Sequence, residues 1–530
     1  AAAPCAGGAA GEAADTEAAS PEGSIREGRA EVLPVRPPEG QGRKDGRSEV
    51  FYNPAQVFNR DLSVLVLSVF ARLLAADAGE KQKKREERAQ QLGKPPPPAP
   101  APGLRVLEAL AATGIRSIRY AKELGPGTRP DGEAIRHIVA NDLDQTAAAH
   151  MSRNLEHNRV PPGFVEVVCG DANGHMYARR AKGPGGKPAE SYDVIDIDPY
   201  GTCAPFLDAA VQAVNDGGLL CITSTDMPIL GGNNPEVSFA RYGGSALKVG
   251  YLHEMSLRLV LHAVTTCAAR HGREAQPLVS CSIDFYVRVF VRIHDSPARV
   301  KRLASKTAVV HQCVQCESFA VQPFGEASPE HEKSAKFKPA RVVVPGEFCP
   351  ECGGRVKLGG PFYAGPLHDD AFVASLLEAC EDEARDGLPG VTSWRKIQGM
   401  LTAISEEHAD LVLYYRLPAL CKGLKLPPVP LKQFRGTLMA LGYRASHFHR
   451  EPEAVKTDAP NAVVYDLMRL WAEEHPRDSK CNPLPELMKK ELTLKRPVEW
   501  VSSSAFDSEA KPKVARFLPN PEPNWGPKRA

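Results

Sequence analysis

Between Leu104 and Ile293 short apolar runs alternate with helical segments, and this alternation restricts the chain more than any other feature. Leu104 to Leu107, Ile135 to Ala140, Val165 to Cys169, Asp193 to Ile197 and Leu219 to Thr223 read as successive strands of a parallel α/β sheet. Parallel neighbours need crossover segments of this length, usually helical. A long helix is expected over Ser245 to Ala269, and Leu278 to Ile283 with Phe285 to Ile293 then reads as a closing pair of strands. Open α/β sheets hold their ligands at the carboxyl ends of the strands, so chemistry is sought there.

Four strand ends carry residues suited to ligand work. After the first comes Glu108-Ala109-Leu110-Ala111-Ala112-Thr113-Gly114-Ile115-Arg116, a small-residue loop that lets a ligand approach backbone amides at a helix start. Asn141-Asp142 ends the second, where ribose hydroxyls would lie. Gly170-Asp171-Ala172 ends the third, where an acid can accept from an adenine amino group. Taken singly, each is also an ordinary cap or turn. The fourth strand ends in Asp198-Pro199-Tyr200-Gly201, and Pro199 restricts Asp198 to extended geometry beside an aromatic ring. Such ends in succession point to a nucleoside-bearing ligand, and seven strands closed by a hairpin match a Rossmann-like class I methyltransferase sheet.

At 530 residues the chain exceeds one core, so two or three domains are expected. A net charge of +2 excludes a uniformly basic protein and leaves any polyanion to local patches. Thirteen cysteines, mostly solitary within apolar runs, argue against a secreted disulfide scaffold and for an intracellular, reducing compartment. No run of about 18 apolar residues occurs, so no membrane span is expected. Residues 1–48, poor in large apolar groups, read as a disordered leader, and without an initiator Met they give no reading of targeting. The methyltransferase-like domain is placed at 49–300. Within it Asp61 is expected to cap a helix over Leu62 to Ala75, and 78–103 to form a Pro-rich exposed insertion.

In the second half, Cys313-x-x-Cys316 and Cys349-x-x-Cys352 form two knuckles whose thiolates can converge on one tetrahedral zinc, defining a zinc-ribbon module at 301–362. Four thiolates leave no open position, so this zinc is structural. His311 and His331 lie nearby. Asp370 to Glu383, Trp394 to Glu407 and Leu431 to Leu441 read as helices of a winged-helix-like α+β domain at 363–500. Between Leu411 and Arg450 there is no Asp or Glu, whereas Arg416, Lys422, Lys425, Lys432, Arg435, Arg444 and Arg450 all fall there, interleaved with aromatic residues. Such one-sided charge in a nearly neutral chain marks a phosphate-backbone footprint. The tail at 501–530, with Trp525 among prolines, is expected to strap back onto the body.

These residues resemble the tRNA (guanine-26 N2)-dimethyltransferase family. The resemblance runs through Phe51-Tyr52-Asn53-Pro54, Asn59-Arg60-Asp61, Ala112-Thr113-Gly114-Ile115-Arg116, Asp198-Pro199-Tyr200-Gly201 and Asn524-Trp525-Gly526-Pro527. It implies that Arg60, Arg116, Asp142, Asp171 and Ala172 hold S-adenosylmethionine, that Asp198 with the Pro199 carbonyl grips the amine, and that Phe51 and Tyr200 sandwich the target guanine. It implies tRNA as partner, met by Lys422, Lys425, Lys432, Arg435 and Arg444, with no membrane or obligate protein partner, and residence in the nucleus and mitochondrion. Read from the residues alone, two other functions stay open. One is an amino-group methyltransferase acting on DNA adenine or a protein amide; the other is a non-catalytic zinc and winged-helix nucleic-acid-binding protein.

Overall fold

The structure, a computed structural model, describes residues 23–34, 52–96, 98, 101–128, 134–180, 191–327, 336–343, 346–381, 387–476, 486–495, 497–506 and 514–520. Phe51, His331 and the Asn524 to Pro527 segment lie outside these residues.

Within the leader, expected to be loose throughout, residues 23–34 are ordered. Ile25–Glu27 (β1) and Ala30–Val32 (β2) pair as an antiparallel hairpin that turns at Gly28, where φ is 55°. Ala30 and Val32 pack against Ile115 and Ile118. The anchor is ionic, which an apolar count misses: Glu27, 4% exposed, receives both Arg60 and Arg119.

The first helix, Val57–Gln91 (α1), begins before Leu62. Asn53 caps the turn leading into it by accepting from the Ala55 amide at 2.9 Å. Asp61 is therefore no cap; it is buried inside the helix, where it accepts from the Ser393 amide at 2.7 Å and faces Arg119 at 2.6 Å. The charged run expected in the insertion continues the helix to Gln91. By length and composition the apolar part of α1 could cross a membrane, but Phe58 to Phe70 are buried in the core of this fold.

Alternation of strand and helix then builds the sheet as the sequence requires. In order come Leu104–Glu108 (β3), Ile115–Leu124 (α2), Ile135–Asp142 (β4), Gln145–His157 (α3), Val165–Cys169 (β5), Ala172–Ala178 (α4), Tyr192–Ile197 (β6), Leu207–Ala213 (α5) and Val214–Ser224 (β7). After Met227–Leu230 (α6), Pro235–Tyr242 (α7) and Leu252–Arg270 (α8), the strands Arg273–Ile283 (β8) and Tyr286–Asp295 (β9) close it. The seven strands lie in the order β5-β4-β3-β6-β7-β9-β8; β3 to β7 run parallel and the final pair antiparallel. The order reverses between β3 and β6, which opens the crevice outside their carboxyl ends. The helix expected from Ser245 starts only at Leu252; Ser245 instead exchanges both backbone hydrogen bonds with Gly360 at 2.9 Å.

Pro297–Val300 (α9) leads into the zinc-ribbon part. Thr307–Cys313 (β10), Phe319–Pro323 (β11), Gly325–Ala327 (β12), Phe337–Pro339 (β13) and Val356–Tyr363 (β14) give a three-stranded sheet, β11-β10-β14, and a small ribbon. Next come Asp370–Glu378 (α10), Trp394–Ser405 (α11), Tyr415–Arg416 (β15), Leu417–Gly423 (α12), Leu431–Ala440 (α13), Ala445–Phe448 (β16), Glu451–Thr457 (β17) and Asn461–Glu474 (α14). From α11 to β17 the helix, strand, two helices and hairpin, with strand order β15-β17-β16, make the winged-helix arrangement. The boundary expected at 363 is not a packing boundary. Phe372, Leu376, Ile397 and Leu401 share one core with α1 and the sheet, while Ala308, Val310 and Phe362 of the zinc-ribbon part share the other with α8.

A buried ionic joint links these parts. Glu254 and Arg258 on α8 pair at 2.7 Å, and Arg258 donates to the carbonyls of Tyr363, Gly365 and Leu411. Lys456 lies 3.2 Å from Glu254 and 3.8 Å from Glu407, all fully buried. Glu407, His368 and His449 stand close enough to suggest a ligand set. However, the Ser280 amide donates to His368 Nδ1 and the Ser282 amide to His449 Nε2, so each ring turns its protonated nitrogen toward Glu407. His449 hydrogen-bonds Glu407 at 2.7 Å, while His368 Nε2 stands 3.9 Å from the other carboxylate oxygen. Lys456→Met strips two buried carboxylates of a counter-charge and is expected to cost about 3–5 kcal/mol, read as a lowered urea midpoint with an unchanged m-value.

Candidate active site

Strand β6 brings its load to the switch point on an otherwise closed core. Tyr192, Val194, Ile195 and Ile197 are wholly buried, and the strand ends at Asp198, whose side chain is 19% exposed. One carboxylate oxygen of Asp198 is held from behind. Oδ2 accepts from the Arg116 guanidinium and from Asn59 Nδ2 at 3.3 Å, leaving Oδ1 to accept from a ligand. Tyr200, two residues on, is 73% exposed.

Behind Asp198 lies a charge cluster that the sequence reading did not foresee. Asp196, inside β6, takes a bidentate grip from Arg288 of β9 at 3.0 and 2.7 Å and a hydrogen bond from the Tyr120 hydroxyl at 3.0 Å. Although burial opposes it, Arg116 and Arg288 hold Asp196 below the usual carboxylate range. Arg116 also donates to Ser63 at 3.0 Å and lies 3.7 Å from Glu108. The signal was available: an acid within an apolar strand needs a cation, and Arg288 and Arg292 interrupt the apolar run of β9.

Glu108 behaves differently. Burial pushes it up to about 8, against the pull of Arg116 and the Ser117 hydroxyl, and Asp196 and Asp198 add to the rise. Its folded pKa lies above the ordinary value of 4.5, so the folded state keeps a proton that the unfolded chain releases. This group's contribution to stability is therefore complete below pH 4.5, falls as pH rises, and levels off above about 8. The difference in melting temperature between wild type and Glu108→Gln should accordingly shift in favour of the variant between pH 5 and 8, and a pH-independent difference would remove this assignment.

The other strand ends face the same crevice. Asp142 ties back the small-residue loop: its carboxylate accepts from the Ala112 amide at 2.8 Å and the Asp144 amide at 3.0 Å. Each oxygen keeps a further lone pair for a hydroxyl. Ala112 and Gly114 take φ of 47° and 74°, which folds that loop tightly ahead of α2. Leu143, next to Asp142, is 71% exposed, an apolar face that the sequence reading passed over. Asp171 caps α4 by accepting from the Gly174 amide at 2.6 Å, Ala172 behind it is buried, and a side chain built on Gly170 would meet nothing within 4 Å. An open apolar face flanked by two acids fits a nucleoside.

Arg60 and Arg116 are turned to protein carboxylates. Arg60 pairs with Glu27 at 2.6 and 2.5 Å, donates to the Asn53 carbonyl at 3.1 Å, and lies over the Tyr52 ring. Among the residues expected to meet phosphates, Lys422 and Lys432 are exposed, and Lys425 sits beside them at φ 59°. Arg435 is instead taken up internally, donating to the Pro452 and Ala454 carbonyls, and burial pulls it down to about 10. Arg444 is clasped by Asp410 at 2.8 Å and Asp458 at 3.0 Å, and Arg416 by Glu451 at 3.0 Å. The arginines of the stretch without acids are thus largely taken up by groups outside it, Arg450 also lying 3.8 Å from Asp284, while Lys422 and Lys432 stay exposed.

The four knuckle cysteines converge. Cys313 and Cys352 sulfurs lie 3.4 Å apart, those of Cys316 and Cys349 3.7 Å apart, and all four fall within 4.8 Å of one another. A tetrahedral zinc with Zn–S bonds of about 2.3 Å separates its sulfurs by about 3.8 Å, so the donor set fits.

Comparison with known proteins bears on the whole chain. The tRNA (guanine(26)-N(2))-dimethyltransferase of Drosophila melanogaster is 37% identical over 96% of this chain and 86% of its own length. The mitochondrial tRNA (guanine(26)-N(2))-dimethyltransferase of Saccharomyces cerevisiae is 35% identical over 95% of this chain and 91% of its own. The fold is that of Trm1 from Pyrococcus horikoshii, solved in complex with S-adenosyl-L-methionine, with a TM-score of 0.60 at 24% identity over 83% of this chain and 98% of that one. A family model for N2,N2-dimethylguanosine tRNA methyltransferase matches residues 39–469, and with relatives this similar over this length the chain belongs to that family.

Proposed function

We infer that the chain is a tRNA (guanine-26 N2)-dimethyltransferase, transferring methyl groups from S-adenosylmethionine to the exocyclic N2 of guanine 26 and giving N2,N2-dimethylguanosine. The observation that carries the mechanism is Asp198 at the switch point with Oδ2 clamped by Arg116 and Asn59, which leaves Oδ1 to accept. Bound at the β3, β4 and β5 ends, the donor supplies a methyl group on a sulfonium sulfur. Asp142 would accept from its ribose, Asp171 from its adenine, and Leu143 would cover the ring. Arg60 and Arg116, each with guanidinium N–H groups beyond those engaged here, would share them with its carboxylate.

A guanine amine is a poor nucleophile because its lone pair is delocalised into the ring. Asp198 Oδ1 and the Pro199 carbonyl are acceptors that can draw the two N–H bonds into place and aim the lone pair at the methyl in line. Once methylated, the nitrogen becomes a strong acid, so Asp198 needs no raised basicity to take its proton. A carboxylate already partnered by Arg116 suffices. Tyr200 offers the flipped base a stacking face, with Phe51 as the opposing face in this reading.

Lys422, Lys425 and Lys432 would meet the tRNA backbone, and zinc held by Cys313, Cys316, Cys349 and Cys352 would shape the module beside them. Residence in the nucleus and mitochondrion belongs to the same reading; one relative's name carries the second compartment, and none of the described cysteines is in a disulfide. The test is incubation with labelled donor and undermodified tRNA, followed by nucleoside analysis. Dimethylguanosine at position 26 is expected, and label entering DNA or protein but not tRNA would overturn the reading.

A further inference from the structure

The residue that fixes Tyr200 is not among those that touch a ligand. Tyr200 follows Asp198 and Pro199 directly and is 73% exposed, so the backbone beneath it has a part in setting where its ring stands relative to Asp198. That backbone passes into Gly201 at φ 85°, a conformation closed to most residues and free to swing unless tied down. Both polar groups of Gly201 are tied to one residue at the end of β7. The Gly201 amide donates to Thr225 Oγ1 at 2.8 Å, and the Thr225 amide donates to the Gly201 carbonyl at 2.8 Å.

This clasp continues on either side. The Thr202 hydroxyl donates to the Tyr242 hydroxyl at 2.8 Å, which in turn donates to Asp226 at 2.7 Å, and the Cys203 amide donates to Ser224 Oγ at 3.3 Å. Residues 201–203 are thus laced to 224–226 and to α7. Of these ties, the Thr225 pair alone closes on the residue next to Tyr200, and its side-chain half depends on one hydroxyl oxygen.

We propose that Thr225 is a positioning residue for methyl transfer, holding the Pro199 carbonyl and the Tyr200 ring in register with Asp198 through the two-point clasp on Gly201. The proposal rests on the methyltransferase reading above. Loss of the hydroxyl leaves the Gly201 amide without its acceptor and lets the turn drift, and displacement of about 1 Å at a reacting centre costs on the order of 100-fold in rate. Since Thr225 touches neither the donor-side acids nor the lysines, affinity for donor and tRNA should stay.

The test compares Thr225→Ser and Thr225→Ala, which differ only in that oxygen, using single-turnover methylation of undermodified tRNA, with donor binding by calorimetry and melting temperature alongside. Thr225→Ala is expected to lose about 10- to 100-fold in the single-turnover rate at saturation, with the half-saturating tRNA concentration within about twofold of wild type, and Thr225→Ser to stay within about threefold of wild type in both. Equal rates for the two variants overturn the proposal, as does an Ala variant whose whole loss lies in donor binding or in folding. Wild-type protein forming no dimethylguanosine in the same assay marks failure of the methyltransferase reading itself, before the clasp is reached.

Discussion

Asp198→Ala is expected to lower the single-turnover methylation rate by about 10³-fold or more while leaving tRNA affinity within about twofold. The loss combines two roles that meet in one carboxylate, aiming the amine and taking its proton. The protein should survive the change. Arg116 keeps the Asp196 carboxylate at 3.5 Å as a counter-charge, so truncation does not strand a buried cation. Asp198→Asn separates the roles, because the amide oxygen can still accept from the amine but the group cannot take the proton; a loss of about 10²-fold is expected. Methylation by Asp198→Ala within tenfold of wild type, with dimethylguanosine as product, would remove the residue from the reaction.

The sheet was legible because buried parallel strands are written as apolar runs, and the interruptions at Asp142, Asp171 and Asp198 fall where such a sheet places ligands. What could not be read was pairing across distance. Glu27 lies in a stretch that composition alone assigns to disorder, yet two arginines from α1 and α2 fix it. Asp61 has the sequence context of a cap and instead receives the Ser393 amide from far along the chain. Arg435 and Arg444 look like free positive charge until β17 and the acids flanking the stretch fold back onto them. In each case the local reading was sound as chemistry; the partner that decided the role is absent from any window of neighbouring residues. The Thr225 clasp belongs to the same class, since only the adjacency of β6 and β7 brings it to Gly201.

Removal of zinc is expected to undo the C-terminal half of the molecule before the sheet. Cys313, Cys316 and Cys349 are buried in one core with Tyr415, Leu420, Phe434, Val464 and Tyr465, and the Tyr465 hydroxyl donates to the Cys316 carbonyl. The four sulfurs thus sit at the centre of a packed module, and the binding energy of a metal held there would enter folding directly. One zinc per chain should be found by elemental analysis of protein prepared without chelator. Cys316→Ser should release it and cost on the order of 5 kcal/mol or more, lowering the melting temperature by about 10 °C or more. Cys421→Ser provides the control, because Cys421 is buried in the same core but lies outside the four-sulfur cluster. It should keep the metal and lose only about 1–2 kcal/mol. Because β10 and β14 also pack against α8, the loss should reach tRNA methylation as well, whereas donor binding at the β3, β4 and β5 ends should outlast it. A Cys316→Ser protein with full metal content and an unchanged melting temperature would show that the four sulfurs converge without a metal to bind them.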